Sequence, residues 1–204
     1  MAMRAAVLTG FLGTGKTTLL LAVANALADR GEYVAIIENE RGSVGIDGRY
    51  LQSQGMTVRE LRAGCVCCDL ALPLQITVQR LSEHYEPDWL LLEASGIAKP
   101  ELLKASLQHP MISQINWRFI ALVDPVRFGK MWHDSYGLGQ LLRGQINIAD
   151  VIVLPKSDLV EPSVLEHVAA EIRSLRPDVP VIPFTADDPA ATTLMVRAFS
   201  EPLR

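Results

Sequence analysis

Two groups of residues in this chain have the types and spacing that chemistry requires. Gly10-Phe11-Leu12-Gly13-Thr14-Gly15-Lys16-Thr17 satisfies the pattern G-x-x-x-x-G-K-[ST]. In that pattern the glycines let backbone N–H groups curl around phosphate oxygens, and a following helix adds the partial positive charge of its N-terminus. Lys16 reaches the β- and γ-phosphates, and Thr17 offers a hydroxyl to Mg²⁺. The second group is Cys65-Val66-Cys67-Cys68, which holds every cysteine of the chain. Three soft thiolates packed into one turn suit Zn²⁺, Cu(I) or a cobalt ion and leave a fourth position to another group. Glu38, Glu40, a water or a second molecule can fill it. A redox pair between Cys65 and Cys68, or inert buried thiols, is the alternative.

The remaining site residues are expected at strand ends. Magnesium at a phosphate loop needs a carboxylate at the end of a neighbouring strand, and Leu90-Leu91-Leu92-Glu93 supplies one in Glu93. Gly96, just beyond, can present an N–H to the γ-phosphate and swing on hydrolysis. The bland alternative is a strand ending in a solvated Glu. A late apolar run followed by Lys156-Ser157-Asp158 suits guanine, because the Asp158 carboxylate can accept both the N1–H and the exocyclic amine, while Lys156 lies along the loop and over the base. Pro155 precedes that lysine and brings neither a side-chain amide nor a backbone N–H. A turn followed by an Asp-capped helix is the competing explanation. Thr185 and Ala186 are placed to complete the base pocket through their N–H groups. Asp47, in Gly45-Ile46-Asp47-Gly48, either positions the attacking water or is a turn residue. The four histidines are scattered without ligand spacing and are expected at surface or helix-end positions.

Positioning these residues takes strands that alternate with helices. Runs 5–9, 33–37, 89–92, 119–123, 151–154 and 181–184 read as strands, and 17–28, 71–83, 139–146, 162–175 and 190–200 as helices. Near-continuous apolar strands separated by helices predict an α/β fold with a mostly parallel sheet covered on both faces. Gly31 should close the first helix. Asp124-Pro125 and Glu161-Pro162 look like caps followed by proline, and Arg176-Pro177 ends a late helix. The stretch 42–55 reads as a mobile loop inside one domain.

Composition narrows the function classes. The 204 residues are 49% apolar and 21% charged, which excludes disorder and collagen, and a chain this long needs no disulfide framework to stabilise a core. A net charge of −4 without a basic stripe argues against nucleic acid as the main ligand. No apolar run approaches membrane-spanning length, and the apolar start lacks the layout of a signal peptide. Clustered, odd-numbered cysteines point to the cytoplasm.

In their order, Gly10 to Thr17, Glu38-Asn39-Glu40, Gly45 to Gly48, Gly64 to Cys68, Glu93 to Gly96 and Gln145 to Asp158 resemble the CobW-like GTPases, metal-handling proteins related to the urease and hydrogenase maturation GTPases. The resemblance runs from about Ala5 to Phe184. It implies a P-loop fold, binding and hydrolysis of GTP to GDP with Mg²⁺, and delivery of zinc, cobalt or a similar ion to a target protein or to cobalamin synthesis. By the same resemblance Cys65, Cys67 and Cys68 match the metal ligands, Gly13, Thr14, Gly15, Lys16, Thr17 and Thr18 the phosphate loop, Glu93 the magnesium-side carboxylate, and Lys156 and Asp158 the guanine-reading pair. Three departures stand out: Pro155 for the family's Asn, Arg41 where an aromatic is common, and an expected single domain over 1–204 without the usual C-terminal domain. Relatives in this family often dimerise, so by analogy a homodimer is one candidate assembly. Two rival functions predict different behaviour. A P-loop ATPase or small-molecule kinase with structural cysteines would prefer ATP, and a thiol or metal sensor would bind nucleotide without turnover.

Overall fold

The computed structural model describes residues 3–38, 57–60 and 71–200. In chain order these form β1 (Arg4–Thr9), α1 (Lys16–Ala28), β2 (Val34–Glu38), β3 (Thr57–Glu60), α2 (Ala71–His84), β4 (Trp89–Glu93), α3 (Pro100–Leu107), β5 (Trp117–Leu122), α4 (Phe128–Trp132), α5 (Leu138–Ile148), β6 (Val151–Pro155), α6 (Pro162–Leu175), β7 (Val181–Phe184) and α7 (Pro189–Ser200). The seven strands make one sheet in the order β3-β2-β4-β1-β5-β6-β7, and every neighbouring pair is parallel.

The unbroken apolar character of the strands follows from burial on two sides. Successive residues of a strand face opposite ways. Ala6, Leu8, Leu91, Ile120 and Val153 therefore meet α1 and α7 on one face, where Leu20, Val23 and Phe199 complete the core. Val7, Ile37, Leu90 and Leu92 point the other way, against Leu74 and Val78 of α2 and Leu103 of α3. Further along that second face, Ala121, Val123, Ile152 and Leu154 pack under Phe128, Leu142, Ile146 and Ile172. The α/β architecture expected from the alternation is the one observed.

Punctuation largely behaves as the residue types dictate. Gly31 has φ +78° and donates its N–H to the carbonyl of Ala28 at 2.8 Å, which ends α1. Glu161 is the N-cap of α6 with Pro162 in its first turn, and Arg176 is its C-cap. Three elements escaped the periodicity analysis for physical reasons. The helices α3 and α4 have eight and five residues, too few to show a 3.6-residue repeat. The strand β3 is Thr-Val-Arg-Glu, a polar sequence of the kind that sheet edges tolerate, and it lies at the edge.

In a parallel sheet all strands point the same way, so the residues that follow their C-terminal ends gather on one rim. Around β1 the chain passes first to β2 on one side and later to β5 on the other, and the crevice at such a reversal is where open α/β sheets bind ligands. Gly10, Glu38, Glu93, Asp124, Lys156 and Thr185 all end or follow strands on that rim. No described helix is long and apolar enough to cross a membrane.

Candidate functional site

The loop between β1 and α1 closes on the carbonyl of Phe11. That oxygen accepts from the Thr14 N–H at 3.2 Å, the Thr14 hydroxyl at 2.8 Å and the Lys16 ammonium at 3.2 Å. Gly15 is the N-cap of α1, no side chain caps the helix, and its first turn holds no acidic residue. Surface helices ordinarily bring Ser, Asp or Glu to this end. Here the positive helix end meets a lysine instead, an arrangement that favours an incoming anion. Lys16 is 4% exposed, so its charge is held inside the loop rather than in water.

Across the loop, the Thr17 hydroxyl donates to the Glu93 carboxylate, 2.8 Å from Oε2 and 3.1 Å from Oε1, and Lys16 Nζ lies 3.8 Å from Oε1. Glu93 is 3% exposed, so it is not a solvated strand end. A hydroxyl and a buried carboxylate side by side are the hard oxygen donors that Mg²⁺ takes alongside water and phosphate, and this donor set fits that ion. An open cleft of about 370 Å³ lies over them, bounded also by Leu12, Gly13, Gly15, the exposed Thr18 and Lys156.

Gly96 packs directly on the phosphate loop. A Cβ at this position would stand 2.6 Å from the Leu12 nitrogen and 3.1 Å from the Phe11 carbonyl carbon, both backbone atoms that cannot rotate away. Gly96→Ala is therefore expected to force the two loops apart, with a loss of about 1–3 kcal/mol of stability and weaker nucleotide binding. Thermal unfolding and a GDP titration of the variant check both effects, and an unchanged affinity would show that the contact is not part of the site.

On the other side of the loop, β6 ends at the buried Pro155, and Lys156 adopts φ 56° and ψ 34°, a left-handed conformation uncommon outside glycine. Two contacts hold it there. Its ammonium donates to the Gly13 carbonyl at 2.7 Å and to Asp124 Oδ2 at 2.9 Å. The exposed Asp158 lies in the turn Ser157–Leu159, and α6 takes Glu161 as its N-cap, so Asp158 is not the helix cap of the competing explanation. Thr185 reaches this turn through its side chain, 3.0 Å from the Ser157 hydroxyl and 3.5 Å from Asp158 Oδ1, with the exposed Ala186 next in the chain. The loops after β6 and β7 are thus joined, by hydroxyl contacts that the sequence reading had not included.

Two participants were missed. Asp124 was taken for a helix cap, yet α4 begins only at Phe128 and has Arg127 as its N-cap. The Asp124 carboxylate instead accepts from the Val126 N–H at 2.9 Å, from Arg127 Nε at 3.1 Å and from Lys156. Arg127 goes on to donate to the Leu12 carbonyl at 2.9 Å. Position gave the available signal: Asp124 follows β5, which neighbours β1 in the sheet.

Glu38 is nearly buried at the end of β2 and pairs in register with Glu93 of β4. Glu40, Asp47, Cys65, Cys67 and Cys68 lie outside the described residues. Among the described residues no three His, Cys, Asp or Glu side chains form a group that could hold a metal. Of the histidines, His84 ends α2, His109 accepts from the Met111 N–H, and His133 is the C-cap of α4.

Comparison with known proteins finds a match, over residues 4–183, to the family model described as CobW/HypB/UreG, nucleotide-binding domain. The chain is similar to the zinc chaperone YeiR of Escherichia coli, 36% identical over 163 residues that cover 78% of this chain and 48% of that protein. It is also similar to the zinc-regulated GTPase metalloprotein activator 1 of Dictyostelium discoideum, 27% identical over 87% of this chain and 46% of the relative. The chain thus spans about half the length of the curated relatives it matches. Among solved structures, the hydrogenase maturation factor HypB of Archaeoglobus fulgidus superposes with a TM-score of 0.66 over 95% of this chain and 87% of that one, at 19% identity, a likeness of fold.

Proposed function

The chain belongs to the CobW/HypB/UreG nucleotide-binding family, and on that footing we propose that it is a GTPase that couples Mg-GTP binding and hydrolysis to the binding and delivery of zinc. The observation that carries the nucleotide half is the junction of Lys16, Thr17 and Glu93 beneath the loop, a buried cation and two oxygen donors beside an uncapped helix end. The cysteine cluster carries the metal half. Of the ions that suit three thiolates, zinc is chosen over cobalt because the similar proteins carry zinc in their names.

In this reading the loop amides and Lys16 bind the β- and γ-phosphates and neutralise the charge that develops on them, while Thr17 and Glu93 hold Mg²⁺, which supplies further charge neutralisation when bound. Asp158 accepts from the guanine edge, Lys156 lies along the base, and Thr185 and Ala186 line the pocket. Gly96 lies close enough to the phosphate loop to follow a change at the γ-phosphate. Asp47 positions the attacking water. Cys65, Cys67 and Cys68 hold the zinc, with Glu38 or Glu40 as the fourth ligand. Slow intrinsic turnover is expected, because positioning and charge neutralisation are all that the chain supplies. The partner is a metal-receiving protein, met in the cytoplasm where thiolates stay reduced.

Base selectivity tests this reading against the ATPase or kinase alternative. Turnover measured with Mg²⁺ and equal concentrations of GTP or ATP should favour GTP by at least about tenfold, since a carboxylate that accepts two guanine N–H groups finds no such pair on adenine. Equal or greater turnover of ATP would overturn the assignment.

A further inference from the structure

Two consecutive carbonyls of the phosphate loop are held by two different cations, and both cations end on one carboxylate. Lys156 donates to the Gly13 carbonyl at 2.7 Å and Arg127 to the Leu12 carbonyl at 2.9 Å. Both also donate to Oδ2 of Asp124, at 2.9 and 3.1 Å. The cations are partly in solvent, with side chains 37% and 43% exposed, whereas the Asp124 side chain is 1% exposed. A carboxylate buried to that degree is tolerated only when paired and hydrogen-bonded, and here it has two cations and the Val126 N–H.

We propose that Asp124 is a positioning residue for nucleotide binding, clamping the base-side loop and the outer wall of the phosphate loop together through Lys156 and Arg127. The inference rests on the nucleotide-site reading above and adds to it a residue that touches no ligand. Its mechanical basis is peptide geometry. Each peptide is a planar trans unit, so fixing the Leu12 and Gly13 carbonyls fixes the planes in which the Gly13 and Thr14 N–H groups lie. Gly13, at φ +73°, has no side chain of its own to resist rotation. Pro155 offers the loop neither an N–H nor a polar side chain, so the tie from the β6 end falls to Lys156, and Lys156 depends on Asp124 for its second anchor.

The test is a titration of the reduced chain with Mg²⁺ and a fluorescent GDP. Asp124→Asn keeps an oxygen for the Val126 N–H and removes the charge that holds the cations, and GDP affinity should fall about tenfold, the scale of a lost charge-assisted hydrogen bond. The same change introduced into Arg127→Ala/Lys156→Ala should have no further effect, because the cations it acts through are gone. Arg127→Ala alone should weaken GDP about threefold, and Arg127→Lys, which keeps the cation, should recover most of that loss. The partly exposed Arg127 carries the test even if Asp124→Asn fails to fold. The clamp is overturned by Asp124→Asn binding GDP within twofold of the parent, by an equal loss in the Arg127→Ala/Lys156→Ala background, or by an Arg127→Ala affinity that does not change. A parent chain that binds no GDP would instead refute the nucleotide-site reading itself, and the clamp with it.

Discussion

Lys16→Ala is expected to lower GTP turnover by about 10²–10³-fold, the range seen when one preorganised charge-stabilising group is removed from a transition state. Phosphoryl transfer asks little covalent chemistry of a protein. Its acceleration comes from holding the phosphates in line and neutralising the charge that spreads over their oxygens. Lys16 is the buried cation of this loop, 4% exposed, 3.2 Å from the Phe11 carbonyl and 3.8 Å from Glu93. Lys156 is the other cation on the cleft, and its ammonium is engaged by the Gly13 carbonyl on the outer wall of the loop and by Asp124. Single-turnover hydrolysis by the variant, with unfolding followed in parallel to show that the fold survives, measures the effect. Turnover within about tenfold of the parent would mean that the loop is not the catalytic element.

The second large effect concerns the thiolates. Apparent zinc binding by four-ligand structural sites amounts to about 10–16 kcal/mol, or roughly 3 kcal/mol per ligand, so Cys67→Ser should weaken zinc by about 10²-fold. A hydroxyl at that position is a harder, weaker donor and remains protonated at neutral pH. Competition with a zinc chelator, under reducing conditions, measures the change. The redox alternative makes the opposite prediction: unaltered zinc binding, with Cys65 and Cys68 forming a disulfide on mild oxidation.

What the sequence could and could not disclose follows from how each residue acts. The glycine-rich loop was legible because its chemistry is local: eight consecutive residues carry the amides, the lysine and the hydroxyl. Glu93 and Lys156 were legible because each directly follows an apolar run that can only be a buried strand, and the parallel sheet brings such ends together. Thr185 was singled out for its backbone N–H, whereas the contact that the structure shows runs through its hydroxyl, 3.5 Å from Asp158 Oδ1. Asp124 and Arg127 stayed hidden because the partners that tie them to the site lie far away in the chain, Lys156 for Asp124 and the Leu12 carbonyl, 115 positions away, for Arg127. No residue pattern marks a carbonyl. Gly96 was chosen for its N–H, and the structure adds a steric reason, the contact with the Leu12 nitrogen, that spacing alone does not contain.

Chain connectivity is the route that the proposed coupling between nucleotide and zinc would take. The chain leaves β2 at Glu38, in register with Glu93 of the nucleotide side, returns to the sheet as β3, and carries the three cysteines between β3 and α2. Under the proposed function, a nucleotide-dependent change at the end of β2 would be passed to the segment that carries the cysteines, and by linkage zinc would then change nucleotide affinity by the same factor. The most direct test is the zinc affinity of the reduced chain with Mg-GDP and with a non-hydrolysable Mg-GTP analogue, with Cys67→Ser as the control. A thiolate-dependent affinity that differs by more than about tenfold between the two states, about 1.4 kcal/mol of coupling, is the predicted result. The same affinity in both states would contradict a nucleotide-gated zinc carrier and leave the cysteines as a structural or redox site.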